Sequence, residues 1–589
     1  MNSSRSAGPR SRGGMGPAGR GSRSVSVLYG TFSAVLVVAA LVMALIVRPP
    51  PPPSIAALGP SPQDQIEKAR QNQAAGSGPG EVTTTPSAEE QAKKSSQQAG
   101  PSATSTTAPT TSPSIEVSAT RRCFGDPPRQ TEDPHSPPCV FEVFQGNNGG
   151  RTAPGVTGTE IHAYQDTGGQ YGNGTEFKEM MEALVAHFNR RYEFYGRRIV
   201  IDYGQKGEFG EGLDYSDSAS THTNPSQSNA MANDIIADRP FASLVDAPAV
   251  FQGEFHRKLA EAGIQSIQSM DSRFFSSEIL DGWTWLMKPP IDVVERLAGD
   301  WVCRAFSGRK ASHAGEARLR DMRRKFAVIA ATNKNAIYPD VGPIMQRLRS
   351  CGANAEKLKF SYNENQEISQ FMLGLKSQDY TTLLPIINSR DPSPFPDAAT
   401  KVNYFPEWFD FALYESIFWH REANWDKPTD AGQNRFAFGF TSNVRVRSEI
   451  STPAWWALNE GGGSVSYSQY LVEQFYYKLL VLASGIQMAG PRLTPNSFRR
   501  ALWNTVWPNP NPGKLPYRQQ RVSLGPGDPV FFDDYAMWWW NERAPQQTRP
   551  TVNQLGRGSF CYLKEGDRFL SGAFPVDADT RLFHEIPCR

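Results

Sequence analysis

The sequence predicts an α/β protein built as two doubly wound lobes, carried behind one transmembrane helix and a disordered linker. Three observations predict it. From Arg151 onward, strand-like runs alternate with amphipathic helical runs, the order that produces a parallel sheet with helices on both faces. The alternation continues for about 430 residues, which is more than one such layer holds and enough for two. Ahead of it, an uncharged apolar stretch sits between a basic tail and a tract rich in Pro, Ser and Thr.

Residues 1–24 carry Arg5, Arg10, Arg12, Arg20 and Arg23 among many Gly and Ser, with no acid, and read as a disordered cytoplasmic tail. Val25 to Val47 contains no charge. At 1.5 Å per helical residue it reaches about 34 Å, enough to span a hydrocarbon core of about 30 Å. Five arginines before this segment and only Arg48 directly after it predict a single-pass protein with its N-terminus inside and its bulk outside the cell membrane. A cleaved secretory signal is the alternative, but its apolar region usually runs to about 7–15 residues and ends at a small-x-small site. Here the run is longer and closes on Arg48 and five prolines, so the anchor is expected to be retained. In residues 48–119, 31 of 72 positions are Pro, Ser or Thr and none is aromatic. Such a tract cannot offset the entropy of ordering and reads as a disordered tether.

All six cysteines (Cys123, Cys139, Cys303, Cys351, Cys561 and Cys588) follow the anchor, on the oxidising side. Six cysteines allow 15 pairings. Proximity favours Cys123–Cys139, Cys303–Cys351 and Cys561–Cys588, and the first of these closes a segment over 120–158 that precedes the folded body at 159–589. Cys-x-x-Cys and zinc-spaced Cys/His clusters do not occur, so no metal is expected.

Within the body, Thr159 to Tyr164 reads as a strand. Phe177, Met180, Met181, Leu184, Val185 and Phe188 then line one face of a helix. Arg198 to Tyr203 is the next strand, Asn224 to Ala237 a helix, Phe241 to Val245 a strand and Phe251 to Ala262 a helix. Lys325 to Thr332 is the clearest buried strand, and a helix ending at Cys351-Gly352 follows it. Thr381 to Ile387 and the long helix Tyr467 to Ala483 continue the pattern.

The run GRRIVIDYGQKGEFGEGLDYSDSASTHTNPSQSNAMANDIIADRPFASL resembles the opening of the type I periplasmic-binding fold, in its branched-chain amino-acid-binding branch. GIQSIQSMDS is similar to that family's third strand and loop, and WLMKPPIDVVERLAGDWVCRAF to its crossover and helix. KFAVIAATNKNAIYPDVGPIMQRLRSCGA is similar to the strand–helix unit that follows. The stretch from Arg129 to Tyr164 looks like the leading segment of actinobacterial, membrane-anchored members. The resemblance implies an ABC-type substrate-binding protein whose two lobes hold a ligand in the cleft between them. Lobe 1 is expected at about 159–287 and 410–525, and lobe 2 at about 288–409 and 526–589.

The general rule that open α/β sheets bind ligands beyond the carboxyl ends of their strands directs attention to four loops. In the first, Asp166, Thr167, Gly168 and Tyr171 precede a helix whose N-terminus favours an anion, although an ordinary strand–helix turn has the same composition. In the second, Asp246-Ala247-Pro248 stands where amino-acid binders commonly present hydroxyls. An acid there favours a cationic or polyhydroxylated ligand. The third supplies Ser269, Met270 and Asp271, the last of which equally caps the next helix. The fourth brings Tyr338 from the other lobe. Trp455-Trp456 and Trp538 to Trp540 suggest a sugar-stacking surface, but aromatic runs at strand spacing are more often core. Asp533-Asp534 resembles a carboxylate pair, yet neighbours in a strand point to opposite faces.

The charge balance of 61 Lys+Arg against 59 Asp+Glu excludes the basic surface of a nucleic-acid protein. Within the folded body, Gly-x-Ser-x-Gly, His-Glu-x-x-His, Walker and Gly-x-Gly-x-x-Gly motifs are all lacking, so neither catalysis nor a cofactor is expected. The expected partners are a small polar solute and an ABC permease or a sensor. The alternative is a surface protein that uses the two-lobed fold for protein–protein contact.

Overall fold

Alternation along each strand decides the layers. In β1 (Glu160–Asp166), Ile161 and Ala163 face one apolar cluster while Tyr164 faces another, so both sides of the strand are covered. The computed structural model describes residues 123–166, 174–204, 225–246, 252–268, 281–287, 289, 291–332, 340–361, 367–388, 394–410, 431–441, 452–463, 469–504, 522, 524–532, 534–545, 557–563, 567–570 and 572–584. The expected transmembrane span Val25 to Val47 and the linker lie outside them. No helix among the described residues is long and apolar enough to cross a membrane.

The first lobe follows the order β1, α1 (Gly174–Arg191), β2 (Arg198–Gly204), α2 (Pro225–Asp238), β3 (Ala242–Ser243), α3 (Gln252–Glu261), β4 (Gln265–Gln268) and β5 (Thr284–Leu286). Its strands form one wholly parallel sheet in the order β2-β1-β3-β4-β5. The chain then enters α4 (Ile291–Trp301), which runs on into a π-helical turn, and α5 (Ala317–Asp321). A second sheet begins with β6 (Phe326–Thr332), α6 (Gly342–Ser350), β7 (Ala355–Ser361), α7 (Ile368–Ser377), β8 (Thr382–Asn388), α8 (Pro394–Lys401), β9 (Glu407–Asp410), α9 (Ala431–Asn434) and β10 (Ala437–Thr441). Helices α10 (Pro453–Glu460), α11 (Gln469–Ala489) and α12 (Pro495–Asn504) return to the first lobe, where their apolar residues join the core of β1 and α1. The chain ends in the second lobe with β11 (Asp534–Pro545), β12 (Arg557–Tyr562), β13 (Arg568–Leu570) and α13 (Ala578–Arg581). The second sheet has eight strands, ordered β12-β11-β10-β9-β8-β6-β7, with β13 also on β11. Strands β11 to β13 add to it antiparallel, whereas β6 to β10 are parallel.

Period-two alternation settles the tryptophan run. Trp538 and Trp540 enter the cluster beneath α7 and α8, and Trp539 enters the opposite cluster with Trp301 and Phe438. All three are buried, as is Trp455, while Trp456 is 41% exposed. The run is therefore core. Where β9, β10 and β11 meet, Gly439 lies opposite Asp410 and Trp538, and a Cβ there would stand 1.5 Å from the Asp410 carbonyl oxygen. Only glycine lets the three strands approach this closely.

The lobe boundaries differ from those expected. Residues 437–441 were placed in lobe 1, but β10 pairs with β9 and β11 in the second sheet. Phe531 and Phe532, placed in lobe 2, pack in the first-lobe core. The expectation failed because an apolar strand reads the same in either sheet, and only pairing assigns it.

Two of the three expected disulfides join described cysteines, Cys123–Cys139 and Cys303–Cys351. Cys561 is also disulfide-bonded, and Cys588 lies outside the described residues. The Cys303–Cys351 bridge ties the end of α4 to the end of α6 across 48 residues of chain. Cys303→Ser with Cys351→Ser is expected to cost about 2–4 kcal/mol by freeing that loop in the unfolded state. Melting curves of the oxidised parent and this variant test it.

Candidate functional site

Three passages join the two sheets, and the first and third are short. The first runs from Leu286, the last residue of β5, to Ile291, the first of α4. Five residues span at most about 18 Å. Helix α4 lies parallel to α6: Glu295 accepts from the Ile344 N–H, Asp300 pairs with Arg347, and Cys303 is bonded to Cys351. Because α6 leaves the carboxyl end of β6 and leads to the amino end of β7, α4 also starts at the carboxyl edge of its sheet. This passage therefore joins carboxyl edge to carboxyl edge. The second links the end of β10 to the start of α10. In the third, Val530 pairs with Leu286 beside β5, and β11 begins at Asp534 in the other sheet only four residues later. The first and third passages thus bring the carboxyl edges of the two sheets together, beside the cleft expected between the lobes.

On the first-lobe wall, Asp166 ends β1 and Asp246 lies three residues beyond β3, the adjacent strand. The other expected contacts (Thr167, Gly168, Tyr171, Ala247, Ser269, Met270, Asp271 and Tyr338) lie outside the described residues. The end of β3 is fastened from inside. Lys478 of α11, fully buried, places its ammonium 2.9 Å from Asp246 Oδ1 and donates to the Leu244 carbonyl at 2.6 Å. Gln474, one turn earlier, donates to Asp246 Oδ2 at 2.8 Å. Gln268, the last residue of β4, donates to the Val245 carbonyl at 2.5 Å. Burial pulls the Lys478 ammonium below its ordinary range, and Asp246 pulls it back up.

This corrects the reading of Asp246 as a draw for cationic ligands. Its counter-ion belongs to the chain, so the pair presents no net charge to the cleft. Lys478 is the one cation of α11, and a buried cation needs an internal partner, but nothing in the sequence says that the partner is Asp246.

On the second-lobe wall, Asp410 ends β9, Thr441 ends β10 and Asp534 starts the antiparallel β11 at the same edge. Asp534 is buried and bound by Arg568 of β13, Nε to Oδ1 at 2.9 Å, with a second bond from Arg568 to its carbonyl. Sequence reasoning set Asp533-Asp534 aside as a catalytic pair, and Asp534 is indeed taken up by an arginine. Asp533 lies outside the described residues.

At the mouth of the first passage Glu295 is fully buried. Burial, helped by Asp340 and Asp292, pushes its carboxyl up to about 8 against the opposing pull of the Ile344 N–H and Lys357. A carboxyl raised on folding stabilises fully below the unfolded value near 4.5. That stability is lost as pH rises through the folded value, because the unfolded chain ionises first. Glu295→Gln, which cannot ionise, is expected to melt progressively higher than the parent between pH 5 and pH 8. A parent and variant whose melting points differ equally at both pH values would refute this.

Among the described residues no group of three His, Cys, Asp or Glu side chains is placed to hold a metal ion.

The chain is similar to solute-binding proteins of ABC transporters. A fatty acid ABC transporter substrate-binding protein from Thermomonospora curvata matches at 11% identity and TM-score 0.45, over 74% of this chain and 100% of its own. An ABC-transporter solute-binding protein from R. palustris, in complex with 4-hydroxybenzoate, matches at 14% identity and TM-score 0.45, over 71% and 98%. The leucine-, isoleucine-, valine-, threonine- and alanine-binding protein of Brucella ovis, in a closed conformation, matches at 13% identity and TM-score 0.47, over 72% and 98%. No family model and no curated protein matches the sequence.

Proposed function

We propose that the chain is a membrane-anchored, extracellular solute-binding protein that holds a small polar ligand between its lobes and presents it to an ABC permease or a sensor. The observation that carries the reading is that the first and third passages, each of a few residues, join the carboxyl edges of the two sheets. Open α/β sheets bind ligands at that edge, and two such edges facing each other can bury most of a small molecule. The uncharged span Val25 to Val47, with five arginines before it, supports the anchor and its orientation. The Lys478–Asp246 and Arg568–Asp534 pairs remove the net charge of two cleft-edge carboxylates, which favours ligands recognised by hydrogen bonding over simple cations.

The test is a thermal-shift screen of the purified full-length chain against amino acids, sugars, polyamines and aromatic acids, followed by scattering with any stabilising compound. A ligand at a hundred times its dissociation constant stabilises by about 2.7 kcal/mol, and lobe closure should compact the particle. Stabilisation without compaction would overturn binding by closure. A screen with no stabilising compound would favour the protein–protein alternative.

A further inference from the structure

The residues ahead of β1 are tied down along the flank of the first lobe. Gln130 donates to the Arg191 carbonyl, and Gln487 of α11 donates to the Pro138 carbonyl. The Arg197 guanidinium binds the carbonyls of Asn148, Gly150, Thr157 and Pro491 at 2.7–3.1 Å. The Cys123–Cys139 bridge closes the loop between them into a knot.

At the centre of that knot His135 is almost wholly buried. Asp133 seats it, with Oδ1 3.0 Å from Nδ1 and 2.8 Å from the His135 backbone nitrogen, which donates to it. Asp133 is fixed in turn by the Tyr476 hydroxyl at 2.6 Å. Burial alone would raise the Asp133 carboxyl, but His135 and Tyr476 hold it below its ordinary value. The imidazole meets three aromatic rings. It stands edge-on to Tyr477 at 5.9 Å and to Phe532 at 6.0 Å, and tilted to Phe531 at 6.4 Å. Tyr477 is itself edge-on to Phe532 at 5.0 Å.

Phe531 and Phe532 lie in the third passage, shortly before β11. Phe531 also donates to the Leu286 carbonyl at 2.7 Å, and Leu286 is where the first passage leaves β5. One box of rings therefore braces the first-lobe ends of two of the three passages.

We propose that the leading segment, 123–158, is a hinge strap, which rests on the two-lobed reading above. It clamps the third passage to the first lobe up to Phe532. The second lobe is then the moving body. The chain preceding Cys123 is attached to the stationary one, and any load on that chain passes into the first lobe and the strap, not across the cleft.

The experiment measures the interlobe distance in the full-length chain without ligand. Spin labels go on Arg257→Cys in α3 and Lys310→Cys in the second lobe, both on exposed side chains. His135→Ala, which empties the ring box, is expected to widen the distance distribution roughly twofold while the second lobe melts unchanged. His135→Phe, which keeps a ring in the box, is expected to stay close to the parent. The Cys123→Ser, Cys139→Ser variant opens the knot without touching the box and should widen the distribution less than His135→Ala. Should His135→Ala fail to fold, the other two variants decide. A narrow distribution in the knot-opened variant, or one in His135→Phe as wide as with the knot open, overturns the strap. Because no ligand is present, these outcomes do not depend on binding. A chain that closes on a ligand yet shows equal distributions in all variants loses the strap and keeps the proposed function.

Discussion

Arg324→Met is expected to lower the stability of the second lobe by about 3–5 kcal/mol, the cost of stranding buried charge. Arg324 is fully buried just before β6 and binds Glu407 through Nε at 2.7 Å and through a second nitrogen at 2.8 Å. It also binds Asp579 of α13 at 2.6 Å. Glu407 accepts further bonds from Thr382 and from the His313 backbone, and the His313 ring meets Asp579. With the guanidinium gone, two carboxylates remain in the interior with hydrogen-bond donors but no full counter-charge. A melting point lower by roughly 10 °C is the corresponding observation. Adding Glu407→Gln to Arg324→Met should recover part of the loss, because one stranded charge is removed. Arg318→Ala, which breaks an exposed pair with Asp379, serves as the control and should cost less than about 1 kcal/mol. Equal effects of Arg324→Met and Arg318→Ala would show that the network contributes no more than a surface pair. The network joins the amino ends of β8 and β9, away from the cleft, so ligand affinity of the folded fraction should not change.

Lys478→Met is expected to cost the first lobe a similar amount, about 3–5 kcal/mol, but with a second consequence at the cleft. It leaves Asp246 buried without its counter-ion, still accepting from Gln474, and it removes the bond to the Leu244 carbonyl. The end of β3 then loses its tie to α11, and the chain that continues from Asp246 into the cleft loses its fixed starting point. A double-mutant cycle with Asp246→Asn checks the account. Because the two residues are in contact, the double variant should be more stable than the sum of the single losses predicts, by on the order of 1–3 kcal/mol. Strict additivity would mean that the pair is not coupled. The same geometry makes Asp246→Ala a structural variant as well as a cleft variant, since it strands the Lys478 ammonium.

Much of the fold was legible because it depends on period and length alone. The 3.6-residue spacing from Phe177 to Phe188 places α1, and the apolar run at Lys325 to Thr332 places β6. The strand–helix alternation around them implies parallel sheets, and the evenly divided charge removed nucleic acid from consideration. Cysteine order anticipated the two bridges whose partners are both described: Cys123–Cys139 closes a short local loop, and Cys303–Cys351 joins the ends of neighbouring helices. Each of these is a local or nearest-neighbour property, and a linear pattern records such properties directly.

The site itself depended on contacts between residues far apart in the chain, and these only the tertiary structure decided. Asp246 and Lys478 stand more than two hundred positions apart, so the sequence offers a lone acid and a lone base and no sign that they neutralise each other. Residues 437–441 carry no mark of which sheet they join, because an apolar strand fits the interior of either; the pairing of β10 with β9 and β11 settles it. The joining of the two carboxyl edges follows from the parallel run of α4 beside α6 and from the Val530–Leu286 bridge, neither of which leaves a periodic trace. Period and composition determined what each segment is. The pairing of buried charges and the short passages between sheets determined where those segments meet, because burial in a low-dielectric interior makes an ion's partner obligatory without placing it nearby in sequence.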